Sequence, residues 1–440
     1  MLFWLMLSAA LAEPLPLSEL LDSVDTHLPA LRAAEAKIAA AEAKLLAARG
    51  AFDPTLTGKA SSYTGSDPRL LSTLSVGSET LFGPRWSAGV RRSEGTLKPY
   101  ETELETGAEG EWFARAEVPL GSLILPDSRA ALLTAGLDTE IARRMQADKR
   151  LELRYKAAAA YWKWAGSGAK LSVEQSLLAL AESRLGALRR QVEEGSAPRM
   201  DLLDAQRAQL ERQARVVAAR ADLDISGRLL ALYYRSDDGE PLRPTAEQLP
   251  PLDAPGGLQP LDELVSRAQQ RPDLLALDAA LQAAQIELRR SQLDLVPDAT
   301  IVGQVAEDTA LGKTEWLLGA ELKVPLLLRK DRGSLGAARA EVDRLAAERR
   351  WLSDQIAADI EASWIAAEAA RQQAALIAET AAQASELLSM EQIRYDIGDS
   401  DLFKLILRED KLAEMRKYLA AAQVDAQLRQ AALLRAVGGG

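Results

Sequence analysis

The side chains able to do acid–base, nucleophilic or metal chemistry are few in kind. The 440-residue chain has one histidine, His27, and no cysteine. A thiolate nucleophile, an iron–sulfur cluster and a Cys/His zinc site are thereby excluded. An imidazole base could only be His27, which stands just ahead of a helix pattern. Carboxylates abound, but none is marked as a catalytic pair, and no Walker loop, GxSxG elbow or HExxH helix occurs. The sequence is therefore read as that of a non-enzyme with no cofactor and no metal. Acids outnumber bases, 64 to 53, for a net charge of -11. With no basic run, nucleic acid is not an expected partner.

What remains is chemistry of position, and it depends on the elements that carry it. Aromatic residues make up only 5% of the chain, and Ala and Leu alternate with Glu, Arg and Gln over long stretches, the usage of long packed helices. Residues 1–12 read as a signal peptide: an apolar stretch without Lys or Arg, then Ala10-Leu11-Ala12 before Glu13. No later stretch reaches the roughly 20 apolar residues of a membrane-spanning helix. Any membrane segment must then be made of strands.

The chain repeats itself. Residues 29–54 match residues 272–297 without a gap: Leu31, Ala33, Ala36, Ala40, Ala41 and Leu45 coincide with Leu274, Ala276, Ala279, Ala283, Ala284 and Leu288. Both copies have helical spacing and are bounded by prolines, which suit a helix start and not its interior. Strands follow each copy. In the first half Trp112, Ala114, Ala116 and Val118 share a face opposite Phe113, Arg115 and Glu117. In the second, Trp316, Leu318, Ala320, Leu322 and Val324 oppose Glu321 and Lys323. Val118-Pro119-Leu120 and Val324-Pro325-Leu326 close these strands, and residues 55–63 and 297–306 are their partners. The loop between the first pair is long, with Trp86, Ala88 and Val90 as a strand-like extension within it. An apolar outer face alternating with a polar inner one is what a barrel strand in lipid requires.

Two helical stretches follow, over about residues 127–194 and 332–395. At 1.5 Å per residue each reaches about 100 Å. Leu171, Leu178, Leu185 and Val192 recur every seven residues, as do Leu203, Leu210 and Val217, and Leu405, Leu412, Leu419, Ala426 and Leu433. Such heptads predict helix-on-helix packing. The expected domain plan is a first repeat over 13–234 (strands 55–118, hairpin 127–234, tip near Gly195) and a second over 261–437 (strands 297–325, hairpin 332–436, tip near Gly398). A Pro/Gly/Asp-rich connector at 235–260 joins them, and residues 438–440 form a disordered tail. Four strands per chain cannot close a membrane barrel, and open edges are not tolerated in lipid. The barrel must be shared between chains.

The order of these features resembles the TolC-like outer-membrane efflux protein family, the outer-membrane factors. The likeness rests on the duplicated Pro-to-Pro helix, the two Val-Pro-Leu exits, the tip sequences around Gly195 and Gly398, and Lys330-Asp331-Arg332-Gly333. The resemblance implies a fold that is mainly α with a membrane β-barrel portion, four strands per chain in a trimeric twelve-stranded barrel and a periplasmic α-barrel of coiled-coil hairpins. It implies passive export, as outer-membrane channel of a tripartite efflux or type I secretion system, with a periplasmic adaptor and an inner-membrane transporter as partners. It also implies an acidic constriction at the tips. In well-known relatives those aspartates fall six and nine residues past the second tip glycine, where this chain has Lys404 and Leu407. The first-half counterparts are Asp201 and Asp204, which with Asp399 and Asp401 are the candidate constriction; plain complementation of helix N-termini is the other reading. Adaptor contact falls on Gly195, Ser196, Gly398 and Asp399, where turn and cap chemistry explains the same residue types. Trp86, Trp112 and Trp316 are the candidate interface aromatics against outer-membrane lipid, whereas Trp162, Trp164, Trp351 and Trp364 read as helix packing. The alternative classes are a periplasmic adaptor or coiled-coil scaffold, and an exported enzyme with an unrecognised carboxylate site.

Overall fold

In a computed structural model, the chain is described over residues 13–65, 68–95, 109–121, 123–196, 198–308, 312 and 314–439. The expected signal peptide at 1–12 lies outside the described residues. The elements run α1 (Leu17–His27), α2 (Pro29–Arg49), β1 (Thr55–Tyr63), β2 (Arg69–Glu79), β3 (Arg85–Gly95), β4 (Glu111–Pro119), α3 (Asp127–Glu193) and α4 (Arg199–Leu230). Then come α5 (Leu261–Ala268), α6 (Pro272–Leu293), β5 (Asp298–Asp308), β6 (Thr314–Lys323), α7 (Arg329–Asp396) and α8 (Leu402–Val437). The duplication is thus wider than the Pro-to-Pro segment: each half has a short helix, a Pro-started helix, strands, and two further helices.

Two compact units divide the chain. The strand unit comprises residues 35–145 and 273–352. Among its described residues six strands form one antiparallel sheet in chain order, β1 to β6. This corrects the expectation of four strands per chain. The long first-half loop holds a full hairpin, β2–β3, paired from Arg69↔Gly95 to Glu79↔Arg85. Period-2 alternation is present there, but Leu71 on the polar face and Ser72 on the apolar one interrupt it. Glycine, a weak strand former, stands at Gly77 and Gly89. Both are needed: a Cβ on Gly89 would lie 2.3 Å from the Leu74 carbonyl, and one on Gly77 2.7 Å from that of Trp86.

Ion pairs tie the helices of this unit together. Arg290 Nε donates to Asp127 at 2.8 Å, Arg143 to Glu42 at 2.8 Å, and Arg349 pairs with Asp278. Arg143, Arg290 and Arg349 therefore cross-link neighbouring elements, although pairs this exposed contribute little each.

The helical unit comprises residues 13–34, 146–272 and 353–439. Its core gathers Leu20, Val24, Tyr161, Trp164, Leu223 and Leu230. Trp164 is 1% exposed, and Tyr161 donates to the Leu15 carbonyl at 2.7 Å. Burial pushes the Tyr161 phenol up to about 12. Residues 235–260 are held against these helices by hydrogen bonds. The Ser23 hydroxyl accepts from Arg235 N–H and donates to its carbonyl, and Trp364 donates to the Gln259 carbonyl at 3.0 Å. His27, the last residue of α1, lies 3.5 Å from Asp237. Of the heptad stripes, that of α8 is buried at Leu405, Leu412, Ala426 and Leu433. On α4, Leu203, Leu210 and Val217 are instead 57%, 63% and 70% exposed. Trp351, at the end of the strand unit's part of α7 and expected to pack, is 70% exposed. Gly438 caps α8 with φ 80 and, with Gly439, turns back on its last carbonyls.

Candidate functional site

Two turns end the long helices, and they are built alike. After α3, Gly195 adopts φ +77, its N–H bonds the Val192 carbonyl, and Ser196 N–H bonds that of Gln191. After α7, Gly398 adopts φ +81, its N–H bonds the Tyr395 carbonyl, and Asp399 N–H bonds that of Arg394. Both glycines sit in the left-handed conformation that ends a helix, and the pair of bonds satisfies its last carbonyls. A Cβ would meet nothing at either glycine. Backbone conformation, not space, requires glycine there.

The sequence-derived aspartates divide between the tips. Asp201 and Asp204 lie in the first turns of α4 and are exposed; Asp204 stands 3.9 Å from Arg207, its own helical neighbour. Asp399 is held by Arg394, whose guanidinium donates to its carboxylate at 3.1 Å. Asp401 is the N-cap of α8 and accepts from Lys404 N–H at 2.8 Å. That backbone bond, with the Lys404 ammonium at 3.0 Å, holds the Asp401 carboxyl below its usual range. Asp399 and Asp401 are therefore engaged in turn and cap chemistry, while Asp201 forms no ion pair among the described residues. No hydrogen bond or ion pair joins residues 194–204 to residues 397–404 among those described.

Above the tips are buried carboxylates that the sequence reading passed over. Glu391 of α7, 6% exposed, accepts from the Ser400 hydroxyl and lies 3.9 Å from Arg408. Glu409 of α8 accepts from Arg184 of α3 at 2.5 Å, and Glu174 of α3 from Lys417 of α8 at 2.9 Å. Their signal was in the spacing: Glu409 falls between Leu405 and Leu412, and Glu391 seven residues after Ala384, on the buried stripes. Polar groups at such positions fix the register of packed helices. Among the described residues, no group of three or more His, Cys, Asp or Glu is placed to hold a metal ion.

The second candidate surface is the sheet. Pairing places Leu56, Val76, Ala88, Ala114, Val305 and Trp316 in one cross-strand row. Paired residues share a face, so one apolar row crosses all six strands. Trp316 and Leu318 on this face are 81% and 85% exposed. The opposite face carries Lys59, Thr73, Arg91 and Glu111 in another row, with Arg91 paired to the buried Glu111. Trp86, Trp112 and Trp316 all lie on the apolar face. Trp112 and Trp316 are toward the β3–β4 and β5–β6 turns, and Trp86, opposite Ala116, is about 13 Å further along β4. Among the described residues no helix is long and apolar enough to cross a membrane.

No family model matches the sequence, and no curated protein matches it. Solved structures do match. The outer-membrane protein VceC of Vibrio cholerae superposes with a TM-score of 0.67 at 17% identity, over 96% of this chain and 96% of that one. A membrane protein from Pseudomonas aeruginosa gives 0.71 at 18%, over 98% and 92%. The open state of the MtrE outer-membrane channel of Neisseria gonorrhoeae gives 0.70 at 17%, over 96% and 89%. The chain therefore has the fold of these outer-membrane channels over nearly its whole length, as the resemblance in its sequence implied.

Proposed function

We propose that the chain is one subunit of a homotrimeric, passive channel in the outer membrane of a Gram-negative bacterium. Cargo passes from periplasm to exterior, a partner inner-membrane transporter supplies the energy, and a periplasmic adaptor meets the hairpin tips. One observation carries the reading. A sheet crossed from end to end by an apolar row has, among the described residues, unpaired edges at β1 and β6, in a chain with the fold of outer-membrane channels. A sheet in lipid must close, because no water is present to satisfy its edge amides. Other copies of the chain supply the missing strands. The exposed stripe Leu203, Leu210 and Val217 supports the same conclusion for the helices: a heptad face without a partner in its own chain packs on a neighbour.

In this reading the strand unit lies in the membrane and the helical unit in the periplasm. Trp86, Trp112 and Trp316 face lipid near its interfaces. Gly195, Ser196, Gly398 and Asp399 form the adaptor-facing turns. Asp201 and Asp204, less engaged in local pairing than Asp399 and Asp401, are the acids of the constriction and favour cations there. An adaptor or scaffold role leaves the apolar sheet face without a purpose.

The test is fractionation followed by planar-bilayer recording. A heat-sensitive trimer in outer membranes, with cation-selective conductance that weakens in an Asp201→Ala/Asp204→Ala variant, is the expected result. A soluble monomer sinks the channel reading; a trimer whose selectivity and closure are unchanged by the double substitution sinks the acidic gate alone.

A further inference from the structure

We infer that the shared barrel has eighteen strands, six from each of three chains, and encloses a correspondingly wider passage. The inference rests on the trimeric channel reading and replaces the twelve strands that family resemblance implies. Its basis is the β2–β3 hairpin. Were this hairpin a flap standing off the wall, its pairing would stop at one neighbour and its faces need not match the wall. Instead β2 pairs with β1 over Thr55↔Gly77 to Tyr63↔Arg69, and β3 pairs with β4 over Arg85↔Glu117 to Arg91↔Glu111. Among the described residues no β1–β4 pairing exists for the wall to run through without it.

The faces agree too. Val76 and Ala88 continue the apolar row that links Leu56 to Ala114, Val305 and Trp316. Thr73 and Arg91 continue the polar row between Lys59 and Glu111. The hairpin also has the means to curve. Gly77 and Gly89 both lie on the polar face, and neighbouring backbone approaches where their side chains would stand. Glycine at such positions lets a sheet bend tightly toward that side, as at a barrel corner. Six is an even number, so β6 of one copy meets β1 of the next antiparallel, and three copies close without a parallel seam. With strands about 4.8 Å apart and tilted about 40°, eighteen make a cylinder about 36 Å across, against about 24 Å for twelve. The cross-section rises about twofold.

The chain has no cysteine, so single cysteines report their surroundings directly. Purified Val76→Cys, Ala88→Cys, Thr73→Cys and Leu318→Cys proteins would be reconstituted in phospholipid vesicles and exposed to a membrane-impermeant maleimide, while electron cryomicroscopy counts strands in the unmodified particle. The expected result is loss of labelling at Val76→Cys and Ala88→Cys to the level of Leu318→Cys, ready labelling of Thr73→Cys, and eighteen strands in a trimer. Labelled Val76→Cys and Ala88→Cys beside protected Leu318→Cys, an unlabelled Thr73→Cys, or a count of twelve in a trimer overturns the eighteen-stranded wall and leaves the channel standing. Labelled Leu318→Cys, or a particle that is not a trimer, overturns the channel reading and the wall with it.

Discussion

Gly89 and Asp401 differ in how a single side chain matters. At Gly89 any Cβ collides with fixed backbone, the Leu74 carbonyl and the Ser75 Cα. Gly89→Val is expected to separate β2 from β3 and to abolish the heat-sensitive trimer band of unheated samples on a semi-denaturing gel. Gly303→Ala, where a Cβ meets nothing within 4 Å, leaves it intact. At Asp401 the role is a cap. Asp401→Ala is expected to speed exchange of the Lys404 amide, and Asp401→Ser to restore most of its protection. Because the folded carboxyl titrates below its usual range, this support is present above the ordinary carboxylate pKa. It is lost as pH falls through the lowered one. Phenols set the alkaline limit. Burial raises Tyr161 to about 12, and burial with the Glu19 carboxylate raises Tyr234 to about 12, from an ordinary 10.0. The unfolded chain releases these protons first. Stability is therefore full below pH 10 and drains away as pH rises toward 12, which denaturant titrations followed by circular dichroism would trace.

Among the elements, α3 and α8 are joined by charges placed on apolar stripes. Glu409 is 7% exposed and paired with Arg184. Removing one partner leaves the other charge buried and alone. Glu409→Ala is thus expected to cost about 3 kcal/mol in urea unfolding, and the Arg184→Met/Glu409→Leu pair far less. The elements themselves were legible because their signals are local. Proline and heptads mark helices, alternation marks strands, and glycine marks the turns at 195 and 398. The β2–β3 hairpin was only half legible. Trp86, Ala88 and Val90 alternate, but Gly77 and Gly89 lower strand propensity at the places where the neighbouring backbone comes too close for a Cβ. A local rule scores as a defect what the sheet needs.

For the whole molecule, the exposed Leu203, Leu210 and Val217 are where association should be broken. Leu210→Glu places a charge on the centre of that stripe. It is expected to shift the particle from trimer to monomer in native mass spectrometry, while the 63% exposure of Leu210 within one chain leaves the monomer's helicity unchanged. From the sequence alone came the duplicated plan, the long helices, the apolar strand face, the two glycine tips and the absence of enzyme motifs, all carried by periodicity and composition over short spans. Tertiary structure decided what periodicity does not encode. It placed the β2–β3 hairpin in the sheet, assigned Asp399 and Asp401 to turn and cap, buried Glu391 and Glu409, and left the α4 stripe bare. The tip contacts are short-range but turn on geometry; the Glu409–Arg184 pair, 225 residues apart, and the bare α4 stripe depend on which distant surfaces meet, a sum of packing and desolvation over the fold rather than a property of any one segment.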